Sequence, residues 1–258
     1  MKRMGSFVWA TASVAETSRR PKPPNSRVKT PFQYGYYEGW LTINTCFELL
    51  MFAILAVCIV LAPVFSGEYQ AGTDAVILSG KYGKTKLTTA KIIASYLFGL
   101  FAFTIHILVA FGLPLVAFGV DGWNLPMQIA GTSIPYPFTF LQGILVNLGV
   151  IYFVLFAIIG LTLLLSSKMR SPYLVLIVLV PVLFIPMFLS ANGTTGAYNL
   201  TLFLLPYYAV QPQFGSYISY QLGSLVLDAF SSRTILYVAL TVCMLPLAKR
   251  GFKKHQVS

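Results

Sequence analysis

Leu41–Phe65, "LTINTCFELLMFAILAVCIVLAPVF", is the segment that decides the fold class of this chain. Its 25 residues are predominantly apolar and contain one charged side chain, Glu48. About 20 consecutive apolar residues in an α-helix are long enough to cross the hydrocarbon core of a bilayer, which is ~30 Å thick. The segment therefore predicts a transmembrane helix.

The rest of the chain has the same apolar character. Of its 258 residues, 57% are hydrophobic and 10% are charged, whereas a soluble domain carries about 25% charged residues. Further long apolar segments are Ile92–Val120, Phe138–Leu165, Tyr173–Leu189 and Thr234–Ala248. We therefore expect an all-α fold, a polytopic membrane protein with about five crossings.

Residues 190–231 do not fit a simple crossing. Leu200–Leu205 is apolar but too short, and the following "PYYAVQPQFGSYISYQ" is rich in tyrosine and contains two prolines. Tyrosine is enriched at membrane interfaces, and irregular backbone is tolerated at depth where protein buries it. We interpret the region as interfacial or re-entrant, with a helix buried in the bundle as the alternative.

The net charge of +11 arises from 18 Lys and Arg against 7 Asp and Glu. Most basic residues lie in short loops between apolar segments, which indicates anionic lipid rather than nucleic acid as the neighbour. Five crossings place one group of them on one side: Lys81, Lys84, Lys86, Lys91, Lys168, Arg170, Lys249, Arg250, Lys253 and Lys254. The opposite loops carry only Arg233, so the positive-inside rule predicts a plasma-membrane protein with a cytoplasmic C-terminus.

Residues 1–35 are basic and rich in proline, and we expect them to be disordered or foreign to the fold. The membrane domain is then residues 36–258. The predicted topology puts residues 1–41 outside, although they carry seven basic residues, which opposes the positive-inside rule. Two explanations stay open: a preceding span is missing, or the first 30 residues are not native to the fold.

The polar stretch after the first span ends in Gly-Lys-Thr, residues 83–85, like a phosphate-binding loop. That loop requires an earlier glycine at position 78, where this chain has Leu78, and a strand before it. A nucleotide site is therefore not expected. Thr73 or Asp74 instead caps a short helix with an apolar patch, which lies along the inner face of the membrane or docks on a partner.

The stretch "FSGEYQAGTDAVILSGKYGKTKLTTAKIIA" resembles the first cytoplasmic loop in the permease subunits of type-two ABC exporters. The matching positions are Phe65, Glu68, Gly72, Thr73, Leu78, Ser79, Lys84 and Lys91. "YYEGW", Tyr36–Trp40, resembles the end of the large outer loop that precedes span two in a Gram-positive branch of this family.

This resemblance implies six helices in each subunit, so that this chain, with five to six transmembrane helices, lacks the first span. It also implies pairing with a second permease subunit and with a separate ATPase chain, and no catalysis or cofactor in this chain. The loop then contains a coupling helix that docks on the ATPase. The residues implied for coupling are Glu68, Gly72, Thr73, Ala75, Leu78, Ser79 and Lys84.

Four charged or titratable side chains have alternative interpretations. Glu68 forms an ion pair, with Lys84 or Lys86, or is a solvated boundary carboxylate. Glu48 and His106 lie inside apolar segments, where they line a translocation path or simply pack and form hydrogen bonds. Arg233 is expected to pair with Asp228 near the outer surface.

The remaining function classes are a membrane enzyme and a non-transporting anchor or sensor. An enzyme needs converging nucleophiles, carboxylates or metal ligands, and the seven acids and two histidines are scattered. The cysteines, Cys46, Cys58 and Cys243, have no metal-like spacing. A sensor would need a folded outer domain, for which residues 1–41 are too short and too polar.

Overall fold

A computed structural model describes residues 34–73, 86–131, 134–222 and 225–254. These residues are mostly helical, and they include four helices that are long and apolar enough to cross a membrane. The long helices are Glu38–Ala71, Thr88–Phe118, Phe140–Ser166 and Ala229–Phe252, and a shorter apolar helix is Pro172–Phe188. The predicted segment 1–35 lies outside the described residues except for Tyr34 and Gly35.

The first long helix consists of three α-helical parts. Helix α1 is Glu38–Cys46, a 3-10 turn follows at Phe47–Leu49, α2 is Leu50–Leu61 and α3 is Pro63–Ala71. A new part begins at Pro63 because proline has no N–H to donate to the preceding turn. This helix begins before the predicted start at Leu41 and continues past Phe65.

The next helices have recognisable starts and ends. Helix α4 is Thr88–Phe118, α5 is Phe140–Ser166 and α6 is Pro172–Phe184, extended by a 3-10 turn at Ile185–Phe188. Thr139 and Gln142 form a reciprocal capping box at the start of α5. The predicted fourth crossing, Tyr173–Leu189, corresponds to α6 and its 3-10 turn, which together are shorter than the four long helices.

Residues 197–228 form the part of the fold that the sequence described least well. Helix α7 is Ala197–Leu204 and α8 is Pro206–Val210, followed by an antiparallel pair of strands, β1 (Ser219–Leu222) and β2 (Leu225–Asp228). The two strands correct the all-α expectation. Tyr220 in β1 and Val226 in β2 are residue types that favour strands.

The turn between α7 and α8 contacts other helices of the bundle. Leu205 and Pro206 line the same crevice as Leu161 of α5, which is past the middle of that helix. Asn147 of α5 donates from Nδ2 to the carbonyl of Val210 at 3.2 Å, where the chain leaves the bundle. We call residues 197–210 the dip, since the chain enters the helix bundle and turns back inside it.

The last helix, α9, is Ala229–Lys254 and packs along α5 more extensively than any other pair of described elements. It is longer than the predicted segment Thr234–Ala248 at both ends. Gly160 of α5 allows the close packing, because a Cβ atom there would lie 2.9 Å from the Tyr96 hydroxyl and 3.0 Å from Cβ of Met244.

Helix α4 exposes large apolar side chains along one side. Phe101, Ile105 and Leu108 are each at least 60% exposed. Water-soluble monomers rarely expose a contiguous apolar surface of this kind. The exposed side chains and the four long apolar helices suggest insertion into a membrane.

Candidate functional site

The predicted basic side of the protein is one physical end of the helix bundle. The rings of Phe65 in α3 and Phe252 in α9 lie 4.8 Å apart, and the hydroxyl of Tyr69 donates to the carbonyl of Ser167 after α5 at 3.1 Å. Lys86, just before α4, lines a groove together with Lys249 of α9. The end of α3, the start of α4 and the ends of α5 and α9 therefore meet, and we call this region the basic end.

The opposite end of the bundle has a different charge. Trp40 donates from Nε1 to the carbonyl of Val120 at 3.0 Å, which joins the start of α1 to the end of α4. Tyr37 stacks on Phe140 at the start of α5, with ring centroids 5.2 Å apart. Asp121 follows directly after Val120. We call this region the aromatic end.

Ser166 at the basic end fixes the start of α3. Its hydroxyl accepts hydrogen bonds from the N–H groups of Phe65 and Ser66, both at 3.0 Å, and donates to the carbonyl of Ala62 at 2.7 Å. The hydroxyl thus uses its hydrogen and both lone pairs. Ser66 and Ser166 are fully buried, so α5 supplies a buried cap for a helix that is distant in sequence.

Gly251 of α9 closes the same junction from the third side. A Cβ atom at Gly251 would collide with the side chain of Ser167. Phe252 beside it stacks on Tyr69, with ring centroids 6.0 Å apart and planes at 20°. The close approach that glycine permits therefore holds α3 between α5 and α9.

Glu68 in α3 and Lys91 in α4 form an ion pair. The Lys91 ammonium also donates to the carbonyl of Val64 at 3.2 Å and lies 5.6 Å from the ring centre of Phe65. The two side chains are 18% and 21% exposed, respectively, and the second oxygen of Glu68 is buried with no partner among the described residues. Glu68 is therefore part of an ion pair rather than a solvated carboxylate, but the described partner is Lys91 and not Lys86.

The partner Lys91 lies in the first turn of α4. Lys86 precedes α4 and lines the groove instead. Lys84, the other predicted partner, lies outside the described residues, as do Ala75, Leu78 and Ser79. The predicted coupling helix falls on residues 74–85, outside the described residues, and the ion pair joins the two helices that flank this segment.

Gly72 and Thr73 end α3. Gly72 has φ of +67°, the left-handed conformation that favours glycine at a helix end, and the N–H of Thr73 donates to the carbonyl of Glu68 at 3.1 Å. Among the described residues, no neighbouring atom lies within 4 Å of a Cβ built at Gly72. The glycine is therefore required by its backbone conformation, and it directs the chain into the segment 74–85.

Glu48 and His106 are not part of this site. Both are exposed, Glu48 in the 3-10 turn before α2 and His106 on α4. His106 donates from Nδ1 to the carbonyl of Ala102 within its own helix at 2.8 Å. No described contact joins them, so a shared translocation path through these two residues gains no support and stays a prediction.

Arg233 and Tyr237 of α9 form a contact that the sequence did not predict. Nε of Arg233 donates to the carbonyl of Phe203 at 3.0 Å, and the hydroxyl of Tyr237 donates to the carbonyl of Leu204 at 2.8 Å. They satisfy the last carbonyl groups of α7, which have no partner within that helix. The sequence feature that could have predicted this contact is their spacing, because residues four positions apart lie on the same face of a helix.

Arg233 and Asp228 do not form one of the described ion pairs, and the expected surface position of Arg233 is wrong: the side chain is fully buried and contacts the end of α7. The charge of Asp228 affects the pKa of the Tyr136 hydroxyl. Burial raises the pKa of the Tyr136 hydroxyl above its ordinary value of 10.0, and the negative charge of Asp228 raises it further. The ring of Tyr136 packs at 5.3 Å against Phe230 at the aromatic end.

No group of three or more His, Cys, Asp or Glu side chains that could hold a metal ion occurs in residues 34–73, 86–131, 134–222 and 225–254. Comparisons of the chain with protein-family models, with curated proteins and with solved structures found no match. The resemblance to type-two ABC exporters therefore stays a prediction from the residues quoted above. The four long apolar helices are compatible with a membrane protein.

Proposed function

We propose that this chain is the membrane-spanning subunit of an ABC transporter and exports its solute with energy from a separate ATPase chain. The observation that carries the proposal is the convergence of α3, α4, α5 and α9 at the flanks of segment 74–85. The sequence resemblance assigns this segment to the ATPase contact. The partners would be the ATPase, a second permease subunit and the lipid of the plasma membrane.

A coupling segment needs rigid attachments, because a force applied to a loose loop would be lost. Here α3 is joined to α4 through Glu68 and Lys91, to α5 through Ser166, and to α9 through Phe252. ATP would act as a ligand that favours one of two arrangements of the ATPase pair. Movement of the docked segment would then reach three helices of the bundle through α3.

The distribution of charge supports the orientation of this proposal. Lys86, Lys91 and Lys249 lie at the basic end, whereas Glu38 and Asp121 lie at the aromatic end. Membrane proteins keep Lys and Arg on the cytoplasmic side. The basic end, with the C-terminus, would therefore face the cytoplasm and the ATPase.

Co-purification with an ATPase encoded beside this chain tests the proposal. Deletion of Thr73–Ser79 or the substitution Glu68→Lys should reduce ATPase recovery severalfold, while membrane insertion continues. Glu38→Lys is the matched control, because Glu38 is an exposed acid at the other end of the same long helix. Unchanged ATPase recovery in both test variants would refute the assignment of the segment.

Cysteine labelling tests the orientation separately. In a background without Cys46, Cys58 and Cys243, a cysteine placed at Gly80 should resist an impermeant reagent added outside the cell. A cysteine placed at Asp121 should react with the same reagent. Labelling at position 80 and protection at position 121 would invert the proposed topology.

A further inference from the structure

A groove of about 470 Å³ lies at the basic end, between the start of α4 and the end of α9. Its lining residues are Lys86, Thr89, Ala90, Ile93 and Lys249. The two lysines come from helices that are far apart in the sequence, so only the folded chain brings their charges together. The groove is distinct from the Glu68–Lys91 ion pair, neither member of which lines it.

The groove is built for a ligand with a charged head and an apolar tail. Lys86 and Lys249 supply positive charge, whereas Ala90 and Ile93 supply an apolar floor. The floor continues along α4, since Ile93, Leu97 and Phe101 are exposed at intervals of four residues and therefore share one helix face. A water-soluble anion would leave this apolar strip uncovered.

The charge of the groove favours an anion strongly. The described lining residues of the groove include two lysines and no carboxylate. The positive end of the α4 dipole lies at Thr88, one residue from the lining, and adds to the field of the two lysines. Basic pockets between transmembrane helices on the cytoplasmic side bind anionic lipid head groups.

We propose that this groove binds the phosphate of an anionic phospholipid from the cytoplasmic leaflet, with an acyl chain along Ile93, Leu97 and Phe101. The inference rests on the proposed membrane orientation, but not on the pairing with an ATPase. The phosphate lies between Lys86 and Lys249 and links the start of α4 to the end of α9. Bound lipid therefore stabilises the basic end.

Native mass spectrometry of the full purified chain, titrated with phosphatidylglycerol or phosphatidylcholine, tests this site. We expect tighter binding of phosphatidylglycerol, and about a fivefold loss of its affinity in each of the variants Lys86→Gln and Lys249→Gln. Arg250→Gln is the matched control: Arg250 is exposed, follows Lys249 in α9 and does not line the groove. Its affinity should stay near that of the unmodified chain.

Thermal unfolding in nanodiscs separates the lipid from free phosphate. Phosphatidylglycerol should raise the unfolding midpoint above that in phosphatidylcholine alone, and the double variant of Lys86 and Lys249 should lose this rise. Inorganic phosphate added to phosphatidylcholine nanodiscs should have no effect, and a rise there would overturn the lipid assignment. An equal loss in Arg250→Gln, or an undiminished rise in the double variant, would also overturn it.

These outcomes are independent of the proposed function. A chain that binds phosphatidylglycerol at the groove but recovers no ATPase keeps the lipid site and loses the transporter assignment. A chain that recovers ATPase in both lysine variants, with unchanged lipid affinity, keeps the transporter assignment and loses the lipid site.

Discussion

Glu68 and Lys91 form an ion pair that joins the last turn of α3 to the first turn of α4. The ion pair therefore lies between the two helices that flank segment 74–85. Lys91 also donates to the Val64 carbonyl, which fixes its position along α3. The ion pair therefore sets the distance between the two flanks of segment 74–85.

The variant Lys91→Met should lower the free energy of unfolding by about 1 kcal/mol, because it leaves a largely buried carboxylate without its cation. A charge swap, Glu68→Lys with Lys91→Glu, should recover part of the loss. Thermal unfolding of the single and double variants measures the interaction energy between the two residues. An interaction energy of zero would show that the pair does not join the two helices.

Ser166→Ala should lower the free energy of unfolding by about 1–3 kcal/mol. The substitution removes an acceptor for two buried N–H groups and a donor to the Ala62 carbonyl. Thr201→Ala is the control, because the Thr201 hydroxyl is exposed and donates only within its own helix. Equal unfolding midpoints for the two variants in detergent would contradict the role of Ser166 as a cap.

Gly160→Ala should destabilise the bundle by about 1–3 kcal/mol, since the added methyl group meets Tyr96 and Met244 of the packed helices. Gly112→Ala supplies the comparison, because no atom of the part of the chain that the structure describes lies within 4 Å of a Cβ at that position in α4. Alanine is the better helix former, so Gly112→Ala should be neutral or slightly stabilising. The order of the two unfolding midpoints decides the prediction.

Tyr237→Phe should lower the free energy of unfolding by about 1–3 kcal/mol, because the Leu204 carbonyl loses its donor from α9. Tyr198→Phe removes an exposed hydroxyl that donates to the Ser190 carbonyl at 3.4 Å and should change little. Limited proteolysis between residues 190 and 215 should accelerate in the first variant alone. Equal cleavage rates would mean that Tyr237 does not hold the dip.

Raised pKa values predict a loss of stability at high pH. Tyr136 has a folded pKa above its ordinary value of 10.0, so the unfolded chain releases this proton first. The contribution of Tyr136 is present below pH 10 and falls above it, by at most about 1.4 kcal/mol per pH unit. Tyr136→Phe should flatten the fall in unfolding midpoint between pH 9.5 and 11, whereas Tyr34→Phe, an exposed control, should leave it unchanged.

The sequence predicted the long helices well because their apolar composition is local. It placed the first helix from Leu41 to Phe65, inside the described Glu38–Ala71. The described helix continues to Ala71 because contacts with α4 and α5 stabilise its polar last turns, which include Glu68. Nothing local in the sequence marks those contacts.

Long-range polar contacts were the part that could not be predicted. Ser166 and Ala62 lie 104 residues apart, and each is unremarkable within its own segment. Arg233 was assigned to the outer surface because it directly precedes the last predicted span, yet the Phe203 carbonyl of the dip provides it with a buried acceptor. The strands β1 and β2 were missed because each is only four residues long.

Helix α9 contacts the dip through Tyr237 and the basic end through Phe252, and the two residues are separated by about 22 Å along one continuous helix. Pro246 lies between these two residues, and a proline inside a helix removes one backbone hydrogen bond and favours a bend. Helix α9 is therefore held at two levels of the bundle, and the point at which it bends most readily lies between them.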